Sequence, residues 1–214
     1  GYLITPIYHH APHSSPTTET AIVGDLRDKK VLTQIETINA HTLIHCAAVI
    51  PKQFEGTAAE EAAQANQIID RDIIHFAQQK NICLIFMSSS SVYGLTNGPW
   101  DENSPVNPQG PYGREKIAAE QQILSHLKNN PVIFRLSAPY GTRQKYKTVL
   151  SIFIEKALRN EDLYYFGSGS RRQDFTAVDD IVRAAICAIQ NPDSTGIFNI
   201  ASGQPVSMKE LAQL

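Results

Sequence analysis

Long apolar runs and an excess of one charge are both missing from this sequence. No stretch reaches the roughly 20 apolar residues of a membrane-spanning helix, and no signal-peptide pattern stands at its start. The 214 residues carry a formal net charge of -2, so they offer no basic surface for nucleic acid or an anionic membrane. We therefore expect a cytoplasmic protein that binds neither nucleic acid nor membranes.

Potential metal ligands are also too few and too scattered to suggest a metal site. Cys46, Cys83 and Cys187 lie far apart in apolar surroundings, which predicts free, buried thiols rather than disulfides. A polar loop carries His9, His10 and His13, but no carboxylate or cysteine accompanies them. A solvated loop is therefore the preferred interpretation, and we predict no metal.

Apolar segments of strand length alternate with helical segments along the chain, which is typical of a parallel α/β sheet. The composition, 42% hydrophobic and 19% charged, is sufficient for a sizeable core. The run 42–49 is apolar enough for a strand buried on both faces. Ser207 and Glu210 match a capping box, which predicts that a helix begins there. Strands are predicted at 1–7, 20–23, 42–49, 82–87, 131–136, 164–166 and 197–200, and helices at 29–38, 57–79, 111–129, 149–158 and 179–190.

The helix predicted from Pro111 carries Tyr112 and Lys116, which lie four residues apart on one face. An ammonium near a phenol favours the phenolate, so we expect Lys116 to lower the pKa of Tyr112 below its usual value of about 10. A tyrosine tuned in this way can exchange a proton with an alcohol or a carbonyl near neutral pH. Alone, the pattern is common, and two surface residues on an amphipathic helix are the alternative.

Further short segments occur in a consistent order from about Val23 to Leu211. They are Gly24-Asp25-Leu26-Arg27-Asp28; His45-Cys46-Ala47-Ala48; Asn66; a serine run ending in Val92-Tyr93-Gly94; Tyr112 with Lys116; Arg135 with Pro139-Tyr140-Gly141; Gln173-Asp174-Phe175 with Val178-Asp179-Asp180; and Asn199 with Gly203, Ser207 and Glu210-Leu211. In this order and spacing the chain resembles the extended short-chain dehydrogenase/reductase family, the NAD-dependent epimerases and dehydratases that act mostly on nucleotide sugars.

The resemblance implies a doubly wound, Rossmann-like parallel α/β sheet with a small, incomplete substrate-binding lobe. It also implies a catalytic trio. Ser89 matches the hydroxyl that hydrogen-bonds the reacting oxygen, although a turn or capping hydroxyl at a strand end is the alternative. Tyr112 matches the general acid/base. Lys116 matches the residue that lowers the tyrosine pKa and binds the nicotinamide ribose.

The cofactor implied by the resemblance is NAD or NADP. Asp25 and Leu26 match the pair that holds the adenine, with a helix N-cap as the alternative for Asp25. Ala47 and Ala48 match small residues where backbone approaches the dinucleotide. The segment 8–10 offers no acidic residue for the adenosine ribose, so the choice between NAD and NADP stays open.

Two other matched residues are expected to be structural. His45, at the end of a strand, is interpreted as a core histidine whose hydrogen bonds are satisfied. Asn66, in the long helix, matches a residue that fixes backbone.

The chain departs from the family pattern at its start. No glycine lies between Gly1 and Gly24, so the glycine-rich turn that holds the pyrophosphate is not in this sequence. Residues 1–7 match the family's second strand. Because the first strand is central in the doubly wound order, we expect this sequence to be an internal part of a longer chain.

Other departures concern the substrate. Ser90 begins a Ser-Ser pair where sugar 4,6-dehydratases of the family have Asp-Glu, which argues against that elimination. Ala138 stands where many nucleotide-sugar enzymes have a substrate-binding Asn. Gln173 replaces a frequent Arg, and Arg171 and its neighbour could compensate, although an exposed basic pair is the default interpretation.

These features lead to a principal hypothesis, an NAD(P)-dependent epimerase or reductase, with a nucleotide sugar as the expected substrate. The alternatives are a reductase of non-nucleotide carbonyl compounds and a non-catalytic dinucleotide-binding module. We predict a dinucleotide-binding domain at 1–142 and 171–200, and part of the substrate lobe at 143–170 and 201–214. The resemblance also implies a homodimer formed by the two long helices.

Overall fold

The computed structural model describes residues 2–10, 21–51, 53, 55–95, 98–142, 144 and 146–214. Its strands are β1 (Ile7–Tyr8), β2 (Ile22–Val23), β3 (Thr42–His45), β4 (Cys83–Ser89), β5 (Val132–Leu136), β6 (Pro139–Tyr140), β7 (Arg172–Gln173), β8 (Thr176–Ala177), β9 (Gly196–Ile200) and β10 (Val206–Ser207). Its α-helices are α1 (Lys29–Glu36), α2 (Thr57–Lys80), α3 (Pro111–His126), α4 (Val149–Leu158), α5 (Val178–Gln190) and α6 (Met208–Leu211). A 3-10 helix, Ser90–Tyr93, follows β4 directly.

A four-stranded parallel sheet in the order β3-β4-β5-β9 forms the centre of the protein. The predicted Rossmann-like α/β class is therefore confirmed. Parallel strands bring their carboxyl ends to one edge of a sheet, and ligands bind there in open α/β folds. The carboxyl ends of β3, β4 and β5 consequently share an edge. Ser89 ends β4 there, and Ala47 and Ala138 follow β3 and β5.

The strands alternate their side chains between two apolar layers, as the pleat requires. Leu84, Phe86 and Ile133 face α1, α2 and α3, whereas Ile85 and Val132 face α5. Helices thus cover both faces of the sheet, and α3 lies against the face to which Phe86 points.

The pairing is interrupted between β1 and β3. β1 pairs in parallel with β2 only, and β3 pairs with β4 only, among the strands that the structure describes. β1 and β3 therefore each keep one edge without a strand partner in the described ranges. β3 is also less buried than predicted, since Ile44 is 42% exposed.

Several predicted boundaries were wrong. β1 and β2 are each two residues long, with positions 1 and 20 outside the described residues. β3 ends at His45 rather than at Val49, because the Asn66 side chain hydrogen-bonds both the N–H and the C=O of Val49. The segment 164–166 is not a strand; no neighbouring strand pairs with it among the described residues. α3 ends three residues early, because Leu127 is extended.

The cysteines differ from prediction in burial only. All three are free, but Cys46 and Cys187 are exposed and Cys83 is half-buried. Apolar neighbours along the chain do not determine which side of an element a residue occupies. The capping box of Ser207 and Glu210 is confirmed at the start of α6. None of the helices in the described ranges is long and apolar enough to cross a membrane.

Candidate active site

The first two turns of α3 hold the predicted Tyr112 and Lys116. Pro111 occupies the first helical turn, where its missing N–H costs no helical hydrogen bond. Tyr112 is half-buried, whereas Lys116, one turn later, is only 1% exposed. The Lys116 Nζ lies 5.9 Å from the centroid of the Tyr112 ring and 4.5 Å from that of Phe86. The surface-residue alternative is therefore wrong for Lys116.

Ser89 is the last residue of β4, three residues beyond Phe86, and is half-buried. Its Oγ accepts a hydrogen bond of 3.2 Å from the N–H of Ser91, so the capping role considered as the alternative exists in this structure. The first turn of α3 passes close to this segment, because a Cβ at Gly113 would lie 3.1 Å from the Ser91 carbonyl oxygen. The serine segment and the start of α3 are thus neighbours.

Lys116 belongs to a buried group of ionisable side chains, which we call the lysine cluster: His45, Asp70, Glu115 and Lys116. Lys116 Nζ donates to Asp70 Oδ2 at 3.3 Å and lies 3.7 Å from Glu115 Oε2. His45 Nε2 lies 2.7 Å from Asp70 Oδ1. All four are less than 10% exposed. The interpretation of His45 as a satisfied core histidine is confirmed.

The electrostatics of Tyr112 differ from the sequence prediction. Lys116 does act to lower the pKa of Tyr112, but burial outweighs it, and Glu115 and Asp70 add to the increase. The pKa of Tyr112 is therefore raised above its ordinary value, and the predicted net decrease was wrong. Spacing on the helix identified the ammonium but not the two carboxyl groups or the degree of burial.

The same balance acts on the other members of the lysine cluster. Burial alone would lower the pKa of Lys116, but Asp70, Glu115 and Tyr112 together raise it. Although burial opposes it, the bonds from His45 and Lys116 lower the pKa of Asp70 to about 2. Burial and the neighbouring Asp70 raise the pKa of Glu115 to about 9. Its Oε2 finds no hydrogen-bond donor among the described residues, which suits a neutral carboxyl group.

A second buried network fastens the end of β4 to α3 and to the sheet. Arg135 Nη2 donates to Glu120 Oε2 at 2.7 Å, and Ser88 Oγ donates to Glu120 Oε1 at 2.5 Å. On its other side Arg135 Nη1 donates to the Tyr93 hydroxyl at 2.9 Å, which donates to Asn199 Oδ1 at 2.7 Å. The network thus connects Tyr93, Arg135 and Asn199, which lie far apart in sequence and all belong to the segments that resemble the family.

Sequence reasoning missed Asp70, Glu115 and Glu120. A signal was present for two of them. Asp70 follows Asn66 by four residues on the apolar face of α2, and Glu120 follows Lys116 by four residues on α3. Charged residues on a face that packs against a sheet need partners there, and this rule would have identified both.

The residues expected at the cofactor lie in the loops after β2 and β3. Asp25 is bound by Arg27, through the backbone N–H at 2.9 Å and Nε at 3.0 Å, and lies 3.5 Å from His9 Nε2. These bonds hold the pKa of Asp25 well below its ordinary value. The N-cap alternative for Asp25 is wrong, because Asp28 caps α1. Leu26 is partly buried against the core.

Ala47 and Ala48 are half-buried and follow β3 at the carboxyl edge of the sheet. Asn66 holds the adjoining backbone through Val49, so its predicted structural role is confirmed. The small side chains here allow backbone to approach a dinucleotide, with Ala47 itself packed against the core. Because Lys116 is only 1% exposed and the glycine-rich turn is not in this sequence, the residues present fit only part of a dinucleotide site.

The predicted substrate residues are at different places along this edge and beyond it. Ser90 is half-buried in the 3-10 helix. Ala138 is half-buried. Its backbone φ is 27°, a value that residues with a Cβ rarely adopt. Gln173 is half-buried in β7 and accepts a 3.1 Å bond from the exposed Arg171 Nη2. Arg172 pairs instead with Glu210.

Comparison with known proteins gives a consistent result. The model of the NAD dependent epimerase/dehydratase family matches residues 3–201. A Methanocaldococcus jannaschii protein provisionally named a UDP-glucose 4-epimerase is 33% identical over 197 residues, which are 88% of this chain and 64% of that protein. The chain thus spans less than two thirds of that relative's length.

Two solved structures have the same fold. MoeE5 in complex with UDP-glucuronic acid and NAD is 28% identical, with a TM-score of 0.79 over 93% of this chain and 70% of that one. UDP-glucose 4-epimerase from Thermotoga maritima, solved with UDP-glucose, is 23% identical, with a TM-score of 0.84 over 100% of this chain and 73% of that one.

Proposed function

Because the chain belongs to the NAD dependent epimerase/dehydratase family, we propose that it is the catalytic part of an NAD(P)-dependent epimerase or reductase of a nucleotide-activated sugar. The observation that carries the proposal is the placement of Lys116, buried beside Tyr112 and under the carboxyl edge of the sheet. That placement suits an enzyme that uses Tyr112 as its acid/base.

In the proposed reaction Tyr112 exchanges a proton with the oxygen on the reacting carbon. A raised pKa keeps the phenol protonated at neutral pH, which suits donation to a carbonyl. The Lys116 ammonium stabilises the phenolate that this donation leaves. Ser89 donates a hydrogen bond to the same oxygen as its charge develops.

The bound dinucleotide supplies the hydride acceptor and donor. Lys116 is proposed to bind its nicotinamide ribose, and Asp25 and Leu26 its adenine. The small side chains of Ala47 and Ala48 are proposed to let the protein backbone approach it closely. Support comes from the NAD in the complex of the 28% identical MoeE5. Both NAD and NADP should be tested, because residues 8–10 supply no carboxylate to select between them.

The nucleotide-sugar substrate is supported by the relatives that are named for UDP-sugars. Ser90, Ala138, Gln173 and Arg171 are proposed to contact it, with Gln173 held by Arg171. A reductase acting on a non-nucleotide carbonyl is the second candidate, because Ala138 has no polar group for the substrate. We further propose that 1–142 with 171–200 binds the dinucleotide, and that 143–170 with 201–214 contributes to the substrate lobe.

The test is hydride transfer by the full-length protein with UDP- and dTDP-sugars as substrates. The absorbance of the reduced dinucleotide measures the reaction. Tyr112→Phe should lower kcat by at least about 100-fold, whereas the exposed Tyr2→Phe should not change it. Full turnover in Tyr112→Phe would contradict the mechanism. Dinucleotide binding without turnover on any substrate would favour the non-catalytic module.

We also propose a homodimer formed through the outer faces of α2 and α3. Ile68 on α2 and Leu124 on α3 are 40% and 48% exposed, which leaves apolar surface on both helices. Light scattering of the full-length protein should give twice the subunit mass, and Leu124→Glu should shift it to the monomer.

A further inference from the structure

The contacts of the lysine cluster assign a role to a residue of α2. We propose that Asp70 is a positioning residue that holds the Lys116 side chain in place and keeps it protonated, while His45 holds Asp70. The inference rests on the proposed function of Lys116, although the pair itself can be tested without any substrate.

The two oxygens of the Asp70 carboxylate have different partners. Oδ1 lies 2.7 Å from His45 Nε2 at the end of β3, and Oδ2 accepts from Lys116 Nζ of α3 at 3.3 Å. Asp70 is 2% exposed, so water does not substitute for either partner. Rotation of the carboxylate would break both contacts. The position of Lys116 is therefore tied to the sheet through Asp70 and His45.

The charges around Lys116 explain why a carboxylate is needed. Asp70 faces it from α2, Glu115 and Tyr112 face it from α3, and the Phe86 ring faces it from β4. Glu115 has its pKa raised to about 9 and is neutral at pH 7. Asp70, with a lowered pKa, is then the carboxylate that balances the ammonium.

An ammonium that is 1% exposed loses its proton readily when its counterion is removed, because burial disfavours the charged form. Asp70→Asn keeps the shape of the side chain and removes its charge. It should leave the helix in place but lower the pKa of Lys116. A purely structural Asp70 would instead change stability and leave the titration of Lys116 unaltered.

The first test is an NMR titration of the full-length protein labelled with ¹³C at lysine Cε. The signal missing from Lys116→Arg identifies Lys116. The titration is made in a Glu115→Gln background, because Glu115 has a pKa of about 9, lies 3.7 Å from Lys116 and would ionise in place of Asp70. With Asp70 present, and in Asp72→Asn, which removes a half-buried carboxylate paired with Arg71, we expect no titration of this signal between about pH 6 and pH 10. With Asp70→Asn added, its midpoint should fall into that range. A Lys116 signal that stays unchanged up to pH 10 in this Asp70→Asn variant overturns the proposal.

The second test is the pH profile of turnover. Asp70→Asn should lower kcat by at least about tenfold at pH 8 and recover most of it at pH 6, with KM changed less than kcat. Asp70→Glu should restore part of the rate at both pH values. A loss of kcat that is equal at all pH values would mean a merely structural role and would overturn the proposal.

The outcomes separate this inference from the proposed function. The expected titration together with no turnover in the wild type would refute the reaction and keep the pairing of Asp70 with Lys116. If Asp70→Asn does not fold, His45→Leu replaces it, because it frees the Oδ1 side of Asp70 while leaving the charge. The Lys116 signal should then move in chemical shift, and an unmoved signal would overturn the proposal.

Discussion

Removing the charge of Glu120 should be among the most destabilising single substitutions in the chain. Glu120 is 2% exposed and Arg135 is 4% exposed. The Glu120 carboxylate receives Arg135 Nη2 at 2.7 Å, Arg135 Nε at 3.1 Å and Ser88 Oγ at 2.5 Å. In Glu120→Gln one side-chain oxygen remains as an acceptor, but the new amide NH₂ group faces the N–H and O–H donors that the carboxylate had accepted. The guanidinium keeps the Tyr93 hydroxyl and loses its counterion.

The expected loss follows from burial. Breaking a buried ion pair by removing one partner costs about 3–5 kcal/mol, because the remaining charge is left uncompensated away from water. A domain of this length loses about 2–4 °C of Tm per kcal/mol, so Glu120→Gln should lower Tm by about 6–20 °C. Replacing both partners, in Glu120→Leu with Arg135→Met, should cost less than Glu120→Gln alone, since no unpaired charge then stays buried.

The assay is urea denaturation followed by circular dichroism, with thermal melting as a second measurement. The matched control is the exposed pair of Lys147 and Glu155, which has the same N···O distance of 2.7 Å. Glu155→Gln should leave the denaturation midpoint unchanged within error, because solvent screens the pair. A loss below about 1 kcal/mol in Glu120→Gln, or equal shifts in the two variants, would refute the argument from burial.

Three further predictions concern other buried or strained positions. Asn66→Ala should lower the unfolding free energy by about 2–3 kcal/mol, because both backbone groups of Val49 lose their bonds; a loss below that of an exposed Asn103→Ala control would contradict it. Ala138→Gly should raise the unfolding free energy by about 0.5–1 kcal/mol, and with it the urea midpoint, since φ 27° strains a residue with a Cβ; a lowered midpoint would argue against strain. Glu115 gives a pH dependence. Its folded pKa of about 9 exceeds the unfolded value of 4.5, so the folded state binds more protons between these values. Stability should therefore fall as pH rises from about 5 to 9, by at most about 1.4 kcal/mol per pH unit, and Glu115→Gln should flatten this slope. An unchanged slope in that variant would show that another group titrates.

The sequence alone established the parts of the protein that depend on spacing along the chain. Alternating apolar segments predicted the parallel α/β sheet, and the four-residue interval predicted that Tyr112 and Lys116 share a face of one helix. The capping box of Ser207 and Glu210 was likewise readable, because its bonds span only three residues. These interactions lie within one element, so local geometry decides them.

Only the tertiary structure decided what surrounds those residues. Lys116 meets Asp70, 46 residues away, and Arg135 meets Glu120 from a different element. The sign of the Tyr112 pKa change depends on the sum of burial, one ammonium and two carboxyl groups, and that sum is set by how α2, α3 and β4 pack. Electrostatic energies depend on distance and on exclusion of water, neither of which is written in residue order.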